Sequence, residues 1–194
     1  MSYSPLYKRP LDVFYFLWFL VNLPISLCLD MQHIYPEYLV PEQLKSIYTH
    51  WLELSSDPIT LGGLGLIGHP GQYTWCSIAL WFETFLQIPT FFIGLWGLWN
   101  ASRRANILIL IYGASTATIV LECIATILSV PATSELTISG GIPSVTEAQR
   151  IVLLKAYTPY LVVPTLMTLD MGWRLWKLVD ESANLAKNSH AKSL

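Results

Sequence analysis

Four long apolar stretches limit what this chain can fold into more than any other feature of its sequence. They occupy residues 11–30, 75–99, 105–130 and 150–172, and the few charged side chains within them are isolated. A helix needs about 20 apolar residues to cross the ~30 Å hydrocarbon core of a bilayer. Helices also satisfy their own backbone hydrogen bonds inside lipid. We therefore predict an all-α membrane protein, built as a bundle of four transmembrane helices.

The composition agrees with this class and excludes several others. Charged residues make up 12% of the chain, against roughly a quarter in soluble domains. The chain has no basic tract for nucleic acid, and three scattered cysteines do not form a disulfide framework. The segment "GLGLIG" at 63–68 matches a dinucleotide fingerprint, but the prolines Pro58 and Pro70 flank it instead of a strand and a helix. We predict no catalytic residue, no cofactor and no metal site.

The distribution of basic residues predicts the orientation of the bundle. With four spans, eight of the eleven Lys and Arg residues fall on the side of the chain termini. Because positive charge accumulates on the cytosolic side of membrane proteins, we expect both termini in the cytosol. The chain then divides into a cytosolic N-terminus (1–10), a membrane domain (11–172) and a polar cytosolic tail (173–194). The "NAS" sequon at 100–102 would face the cytosol and stay unmodified.

A short amphipathic helix is predicted in the first luminal loop, which spans about residues 31–73. The segment "EQLKSIYTHWLEL" places its apolar residues on one helical face, namely Leu44, Ile47, Tyr48, Trp51 and Leu52. Pro41 suits the start of the helix. The segment "SSDP" ends it, because the residue before a proline disfavours helix. We expect this helix to lie on the membrane surface or to cap the bundle as a lid.

Each predicted span carries one line of polar side chains at helical spacing on an otherwise apolar surface. The members are Asn22, Ser26 and Asp30 in the first span, Glu83, Gln87 and Thr90 in the second, Ser115, Thr118, Glu122, Thr126 and Ser129 in the third, and Tyr157, Thr158, Thr165 and Thr168 in the fourth. Hydroxyl groups help membrane helices pack, which alone explains many serines and threonines. If the four lines face one another, they form a polar interior.

Three of these polar residues are acids, and acids inside membrane helices are costly and usually functional. Asp30, Glu83 and Glu122 have one cation well inside the spans to balance them, Lys155. Carboxyl groups in an apolar site take up a proton or bind a cation, and two in contact can share one proton. Such a cavity suits an amphipathic ligand with an apolar body and a basic or hydroxyl head. We expect these three acids and Gln87 to bind that ligand.

Four short stretches occur in an informative order along the chain. They are "FLVNLPISLCLDMQHIYP", "WLELSSDP", "WFETFLQIPTFF" and "YTPYLVVP". They resemble, in turn, the first span, the Asp-Pro element, the Glu-x-x-x-Gln-x-Pro pattern and the Tyr-x-Pro-Tyr-x-x-x-Pro pattern of the EXPERA-domain membrane proteins. The resemblance covers most of residues 8–175 and is strongest to the sigma-2 receptor branch, which includes the fungal efficient mitochondria targeting-associated proteins.

The resemblance implies a four-helix bundle in the endoplasmic reticulum membrane, with a pocket that binds sterols and hydrophobic amines. It implies that Asp30 pairs with the ligand amine, that Asp57 supports it, and that Glu83 and Tyr160 belong to the same pocket. It also implies a homodimer, and roles in sterol homeostasis or in handling mitochondrial precursor proteins. Glu122 has no counterpart in the resemblance, so its place among the ligand-binding residues depends on the sequence alone.

Two alternatives to a non-enzymatic binding protein stay open. The first is a sterol or terpenoid double-bond isomerase of the emopamil-binding type, which uses an intramembrane His with Glu partners as acid and base. That relay is incomplete here, although Glu83 and Glu122 could still exchange protons. The four histidines lie in loops or the tail, at His33, His50, His69 and His190. The second alternative is a structural partner of another membrane protein, in which the acids only hold the bundle together.

Overall fold

The computed structural model describes residues 5–69 and 71–192, and this part of the chain is mostly helical. A π-helical turn at Glu83–Gln87 joins two of the helices, and short 3-10 turns follow the first helix. The predicted segments 1–10 and 173–194 include residues 1–4 and 193–194, which lie outside the described part. The described α-helices are α1 (Pro10–Cys28), α2 (Glu42–Ser55), α3 (Pro58–Gly63), α4 (Thr74–Phe82), α5 (Ile88–Trp99), α6 (Ala105–Ser129), α7 (Glu135–Ser139) and α8 (Glu147–Lys192).

The long helices confirm the predicted all-α membrane bundle. Four segments are long and apolar enough to cross a membrane, namely Pro10–Gln32, Thr74–Trp99, Ala105–Ser129 and Glu147–Asn188. Between 22% and 33% of the most apolar stretch of each segment is buried within the protein, which leaves the remaining apolar surface for lipid. The fourth helix continues beyond residue 172, where the sequence predicted the span to end. Residues 173–192 contain no proline or glycine that would stop it.

The second span contains a π-helical turn instead of one continuous α-helix. Pro89 has no N–H group, so it cannot donate to the carbonyl group four residues earlier. Just before it, the Ile88 N–H donates to the Glu83 carbonyl five residues back, which is the π-helical pattern. The turn separates two unlike halves, because α4 contains no buried residue whereas α5 buries five.

The two ends of the bundle differ in what they carry. We call α2 and α3 together the lid, and the end of the bundle that they cover the lid end. The opposite end, called the basic end, holds the start of α1 and the connection between α5 and α6, with Arg9, Arg103 and Arg104. The main apolar core joins α1, α5, α6 and α8, and includes Tyr15, Phe19, Phe91, Leu98, Ile109, Tyr112, Met167 and Met171.

Two glycines allow the core helices to approach one another closely. A Cβ atom on Gly94 of α5 would lie 2.7 Å from the ring of Phe19, and one on Gly113 of α6 would lie 2.6 Å from the Pro164 carbonyl oxygen of α8. Small residues have this role in membrane bundles because they let backbones approach. The close packing of α1 on α5 and of α6 on α8 therefore depends on the absence of a side chain at these two glycines.

Four charged side chains form an ion-pair network at the basic end. The Asp12 carboxylate accepts a 2.6 Å hydrogen bond from Arg174 and is also paired with Arg9. Arg174 pairs at 2.7 Å with Asp170, and Arg9 donates to the Leu98 carbonyl at 2.6 Å. The network therefore connects the start of α1 to α5 and α8.

The lid confirms the amphipathic helix predicted in the first loop. Helix α2 follows Pro41 and ends at Ser55, after which Ser56 adopts a left-handed conformation with φ of 47°. Gln149 Nε2 donates to Ser56 Oγ at 2.9 Å, and Gln32 Nε2 donates to the Leu44 carbonyl at 3.3 Å. These two bonds attach α2 to α8 on one side and to the turn after α1 on the other.

Candidate functional site

A cavity of about 1250 Å³ lies between the lid and the apolar core. Residues from α1, the lid, α4, the π turn, α6 and α8 form its wall. Its volume exceeds the 300–1,000 Å³ that is usual for ligand pockets. Five of the six side chains expected from the sequence to bind a ligand line it, namely Asp30, Asp57, Glu83, Gln87 and Tyr160.

Two carboxyl groups meet in the cavity, on Asp30 and Glu83. Asp30 begins the 3-10 turn after α1, and Glu83 begins the π turn. Their carboxyl groups interact directly with one another. The hydroxyl of Ser26, one turn before Asp30, donates to Glu83 Oε1 at 2.5 Å. The predicted polar line of the first span thus faces the cavity, and the two acids form one acidic pair.

A second polar group lies next to the acidic pair, on the side of the apolar core. Gln87 follows Glu83 along the π turn and is 8% exposed, and Thr116 of α6 is 5% exposed. The Thr116 hydroxyl has no hydrogen-bond partner among the described residues. Thr90, by contrast, donates to the Leu86 carbonyl of its own helix at 2.6 Å. Thr116 lines the cavity, but protein atoms cover its hydroxyl and the Tyr112 hydroxyl is its polar neighbour. We call Gln87 and Thr116 the inner polar pair.

Asp57 lines the cavity, but both of its carboxyl oxygens already accept hydrogen bonds from other groups of the protein. It is the N-cap of α3, and its Oδ1 accepts from the Ile59 N–H at 2.9 Å. Its Oδ2 accepts from Tyr157 at 2.9 Å and from two further side chains, Trp51 and Thr60. A buried carboxylate with four donors is well stabilised. Asp57 therefore anchors the lid to α8.

Tyr48 of the lid belongs to the same polar surroundings as Asp57. Burial, together with the nearby Asp57 carboxylate, raises the pKa of the Tyr48 hydroxyl above its ordinary value. Its side chain also lines the cavity. Tyr48 therefore keeps its proton at neutral pH, so the lid presents a hydroxyl group and not a phenolate to the cavity.

Aromatic side chains form part of the wall. Tyr160, which the resemblance placed in the pocket, lies in the wall and packs edge-to-face against Trp18 with 5.3 Å between ring centroids. The Trp18 indole donates to the hydroxyl of Tyr112 at 3.0 Å. These contacts connect α1, α6 and α8 beside the acidic pair, and they give the cavity an apolar wall for the body of a ligand.

Glu122 does not join the other candidates. It is exposed on α6, and the residues of α6 that line the cavity lie on a different face, namely Tyr112, Thr116, Ile119, Val120 and Cys123. Thr118 and Thr126, which belong to the same predicted line as Glu122, donate to carbonyl groups of their own helix. The expectation that this line faces a polar interior is therefore wrong. A polar line need not face inward when the helix itself accepts its hydrogen bonds.

The sequence also missed residues that the fold brings to the site. Thr116 lies off the predicted polar line of α6, so helical spacing around Glu122 gave no signal for it. Trp51 was assigned to the apolar face of the lid helix, but its indole N–H lies 3.3 Å from Asp57 Oδ2. Both positions depend on how helices are rotated against one another, which spacing within one helix does not define.

The acidic pair is the part of the cavity wall best suited to bind a cation. It places two carboxyl groups within an otherwise largely apolar wall, which suits a protonated amine. Within residues 5–69 and 71–192, no group of three or more His, Cys, Asp or Glu side chains is placed to hold a metal ion. The acid–base pairing of Glu83 with Glu122 does not form, since Glu122 lies outside the cavity.

Comparisons with known proteins extend over most of the chain. A family model described as EXPERA (EXPanded EBP superfamily) matches residues 42–171. The Sigma intracellular receptor 2 of Xenopus tropicalis is 28% identical over 164 residues, which cover 84% of this chain and 88% of the frog protein. The Sigma intracellular receptor 2 of Homo sapiens is 25% identical over 169 residues, which cover 87% of this chain and 90% of the human protein.

Proposed function

Since this chain belongs to the EXPERA family, and within it to the sigma-2 receptor branch, we propose that it is a non-enzymatic membrane protein that binds sterols or hydrophobic amines. The name of the relatives describes intracellular receptors. A receptor binds its ligand without converting it. In this proposal the ligand occupies the cavity between the lid and the apolar core.

The observation that carries the proposal is the contact between Asp30 and Glu83 inside a cavity of about 1250 Å³. Two carboxyl groups in contact, away from bulk water, hold one proton between them and keep one negative charge. One protonated amine balances that charge. The Ser26 hydroxyl donates to Glu83 at 2.5 Å and also interacts with Asp30, so it holds the two carboxyl groups side by side for the ligand.

The inner polar pair gives the ligand a second contact. Gln87 can receive a hydroxyl or carbonyl group at the end of the ligand that faces the apolar core, and Thr116 lines the same cavity. A sterol with one hydroxyl group would use this contact alone. A hydrophobic amine with a polar group elsewhere would use both contacts. Tyr160 and its neighbours then pack against the apolar body between them.

The first experiment measures thermal stability of the purified protein with and without a hydrophobic amine. A ligand at about 100 times its dissociation constant adds roughly 2.7 kcal/mol to the free energy of unfolding. We expect this gain in the wild type and in Glu122→Gln, whose carboxyl group lies outside the cavity, and its loss in Asp30→Asn. Equal stabilisation of Asp30→Asn and wild type would contradict an acid-anchored site.

The cellular setting is part of the proposal. We infer from the family that the protein lies in the endoplasmic reticulum membrane. We infer that both termini lie in the cytosol, since the basic end carries most of the arginines. We also propose a homodimer, and a role in sterol homeostasis or in handling mitochondrial precursor proteins, on the basis of the family. Protease protection of tagged termini tests the orientation, and light scattering of the purified protein tests the dimer.

A second candidate function is the isomerase, favoured by one observation. The contact between Asp30 and Glu83 could pass a proton to one carbon of a bound sterol and accept one from another. Incubation of purified protein with a ring-unsaturated sterol, followed by chromatography of the extract, decides between binding and conversion. Product that disappears in Glu83→Gln would replace the binding proposal by the enzyme.

A further inference from the structure

Two charged side chains of the membrane-spanning helices lie outside the cavity. Glu122 is exposed on α6 and Lys155 is exposed on α8. In the described part of the chain, neither side chain makes a hydrogen bond or an ion pair. A charge within a membrane helix is costly unless a polar or oppositely charged group lies beside it. Each of the two charges therefore calls for a partner outside the described part of its own chain.

The packing of α6 on α8 gives the two charges the same depth in the bundle. The helices run in opposite directions, and Gly113 of α6 lies against the Pro164 carbonyl group of α8. Glu122 lies nine residues after Gly113, and Lys155 lies nine residues before Pro164. Nine residues rise about 13 Å along a helix. Measured from one contact, both charges therefore lie equally far toward the lid end.

A second contact, nearer the lid end, gives the same register. Arg150 of α8 donates to the Ile127 carbonyl group of α6 at 2.9 Å. Glu122 precedes Ile127 by five residues, and Lys155 follows Arg150 by five residues. Contacts on both sides of the two charges therefore agree on their equal depth.

The two charges point away from each other within one molecule. Successive residues of an α-helix are rotated by about 100°, so a step of nine residues leads to the opposite face. Glu122 therefore lies on the face of α6 away from Gly113 and α8, and Lys155 lies on the face of α8 away from α6. Two molecules side by side in the same orientation would bring Glu122 of one next to Lys155 of the other.

We propose that copies of this chain associate head to tail in the membrane, with Glu122 of one copy paired to Lys155 of the next. The inference rests on the self-association that is part of the proposed function, and it names the surfaces. Charge complementarity favours this arrangement, because a symmetric contact through either face would bring like charges together. A head-to-tail contact uses a different surface on each copy, so it repeats into a ring or a row.

The surfaces around the two charges suit close packing of helices. A shallow groove of about 390 Å³ on the outer face of α8 is lined by Ile151, Leu154, Lys155, Thr158 and Pro159. The Glu122 face of α6 carries hydroxyl side chains that donate to carbonyl groups of their own helix, namely Ser115, Thr118, Thr126 and Ser129. Small residues let membrane helices approach one another. The groove can therefore receive this face of a second copy.

The test measures resonance energy transfer between donor-labelled and acceptor-labelled copies of the full-length protein in phospholipid vesicles. We expect Glu122→Gln and Lys155→Met each to weaken self-association roughly tenfold, as for polar contacts between membrane helices. Lys177→Met is the matched control, because it removes a cation from α8 away from the contact, and it should change nothing. Circular dichroism of each variant checks that it is folded.

Charge reversal tests which residues meet. Glu122→Lys and Lys155→Glu should each lose association with copies of themselves, because like charges then face one another. A mixture of the two variants should associate, since the introduced lysine of one meets the introduced glutamate of the other. If Lys155→Glu associates with itself as the wild type does, or the mixture of folded variants does not associate, the head-to-tail pair is wrong.

The remaining outcomes separate this inference from the proposed function. If the wild type does not self-associate in vesicles, the proposed dimer and this inference fail together, whereas ligand binding is tested by the amine experiment. If it self-associates and neither charge removal weakens it, the dimer stands and the contact is wrong. Weaker association of Lys155→Met alone would assign Lys155 to a lipid headgroup or to another interface and overturn its pairing with Glu122.

Discussion

Asp12 and Arg174 lie 162 positions apart in the chain, yet their side chains form a 2.6 Å ion pair at the basic end. Asp12 is almost fully buried, and Arg9 lies on its other side. The pair joins the start of α1 to the last helix at the end of the bundle away from the cavity. It therefore holds the bundle together where no ligand is expected.

Removing Arg174 should destabilise the fold more than removing a surface cation from the same helix. Arg174→Ala leaves the Asp12 carboxylate with Arg9 alone, and breaking a buried pair costs about 3 kcal/mol. Lys177→Ala is the matched control, because Lys177 contacts only the exposed ring of Trp173 among the described interactions. Thermal unfolding in detergent measures the loss of stability in each of the two variants. Equal midpoints for the two variants would contradict a stabilising role of the pair.

The lid should loosen when Asp57 loses its charge. Asp57→Asn replaces two acceptor oxygens by one and leaves some of its four donors without a partner, whereas Tyr157→Phe removes a single donor and should cost about 1 kcal/mol. We expect faster hydrogen exchange in α2 for Asp57→Asn than for Tyr157→Phe. Unchanged exchange in α2, combined with lost amine binding, would assign Asp57 to the ligand and not to the lid.

Adding one methyl group at two core glycines should disturb packing. Gly113→Ala would press against the backbone of Pro164 and Gly94→Ala against the ring of Phe19, and overpacking of this kind typically costs 1–3 kcal/mol. Gly172→Ala is the control, since its nearest atom, Leu110 Cδ1, lies 3.8 Å away. The unfolding midpoints should rank Gly172→Ala above the other two variants. Equal unfolding midpoints for all three variants would mean that the helices can move apart without loss of stability.

Replacing Thr116 by valine should weaken ligand binding without lowering the stability of the protein. The hydroxyl has no partner, so Thr116→Val removes an unsatisfied buried group and should leave the unfolding midpoint equal or higher. A ligand with a hydroxyl or carbonyl group at its inner end should lose affinity by about 1 kcal/mol, while a plain amine should not. Isothermal titration with both ligands checks this. Equal losses for both would place Thr116 outside the site.

Much of the fold could be predicted because membrane helices have strong local signals. Span length, the apolar face of α2 and the end of that helix at Ser55 follow from residues close in sequence. The acids Asp30 and Glu83 were identified because a carboxyl group within lipid is costly wherever it lies. Their contact with each other was not predicted, since it depends on two helices packing side by side.

Glu122 and Thr116 show why the remainder could not be predicted. Helical spacing tells which residues share a face, but the rotation of that face toward the bundle is decided by packing against neighbours. Glu122 marks a polar line that faces outward, and Thr116 marks the inward face. The π turn at Glu83–Gln87 was missed for a similar reason. Pro89 removes one helical hydrogen bond, but packing against neighbouring helices decides how the backbone around it is paired.

The π turn gives the second span two independent halves. A π turn contains one residue more than an α turn, so α4 is offset by about 100° of helical rotation from the register that α5 would impose on it. Substitutions in Thr74–Phe82 can therefore change the shape of the cavity without changing which faces of Ile88–Trp99 meet the core. Among related chains, sequence changes in this segment can therefore alter the shape of the cavity while the packing of the helix bundle stays the same.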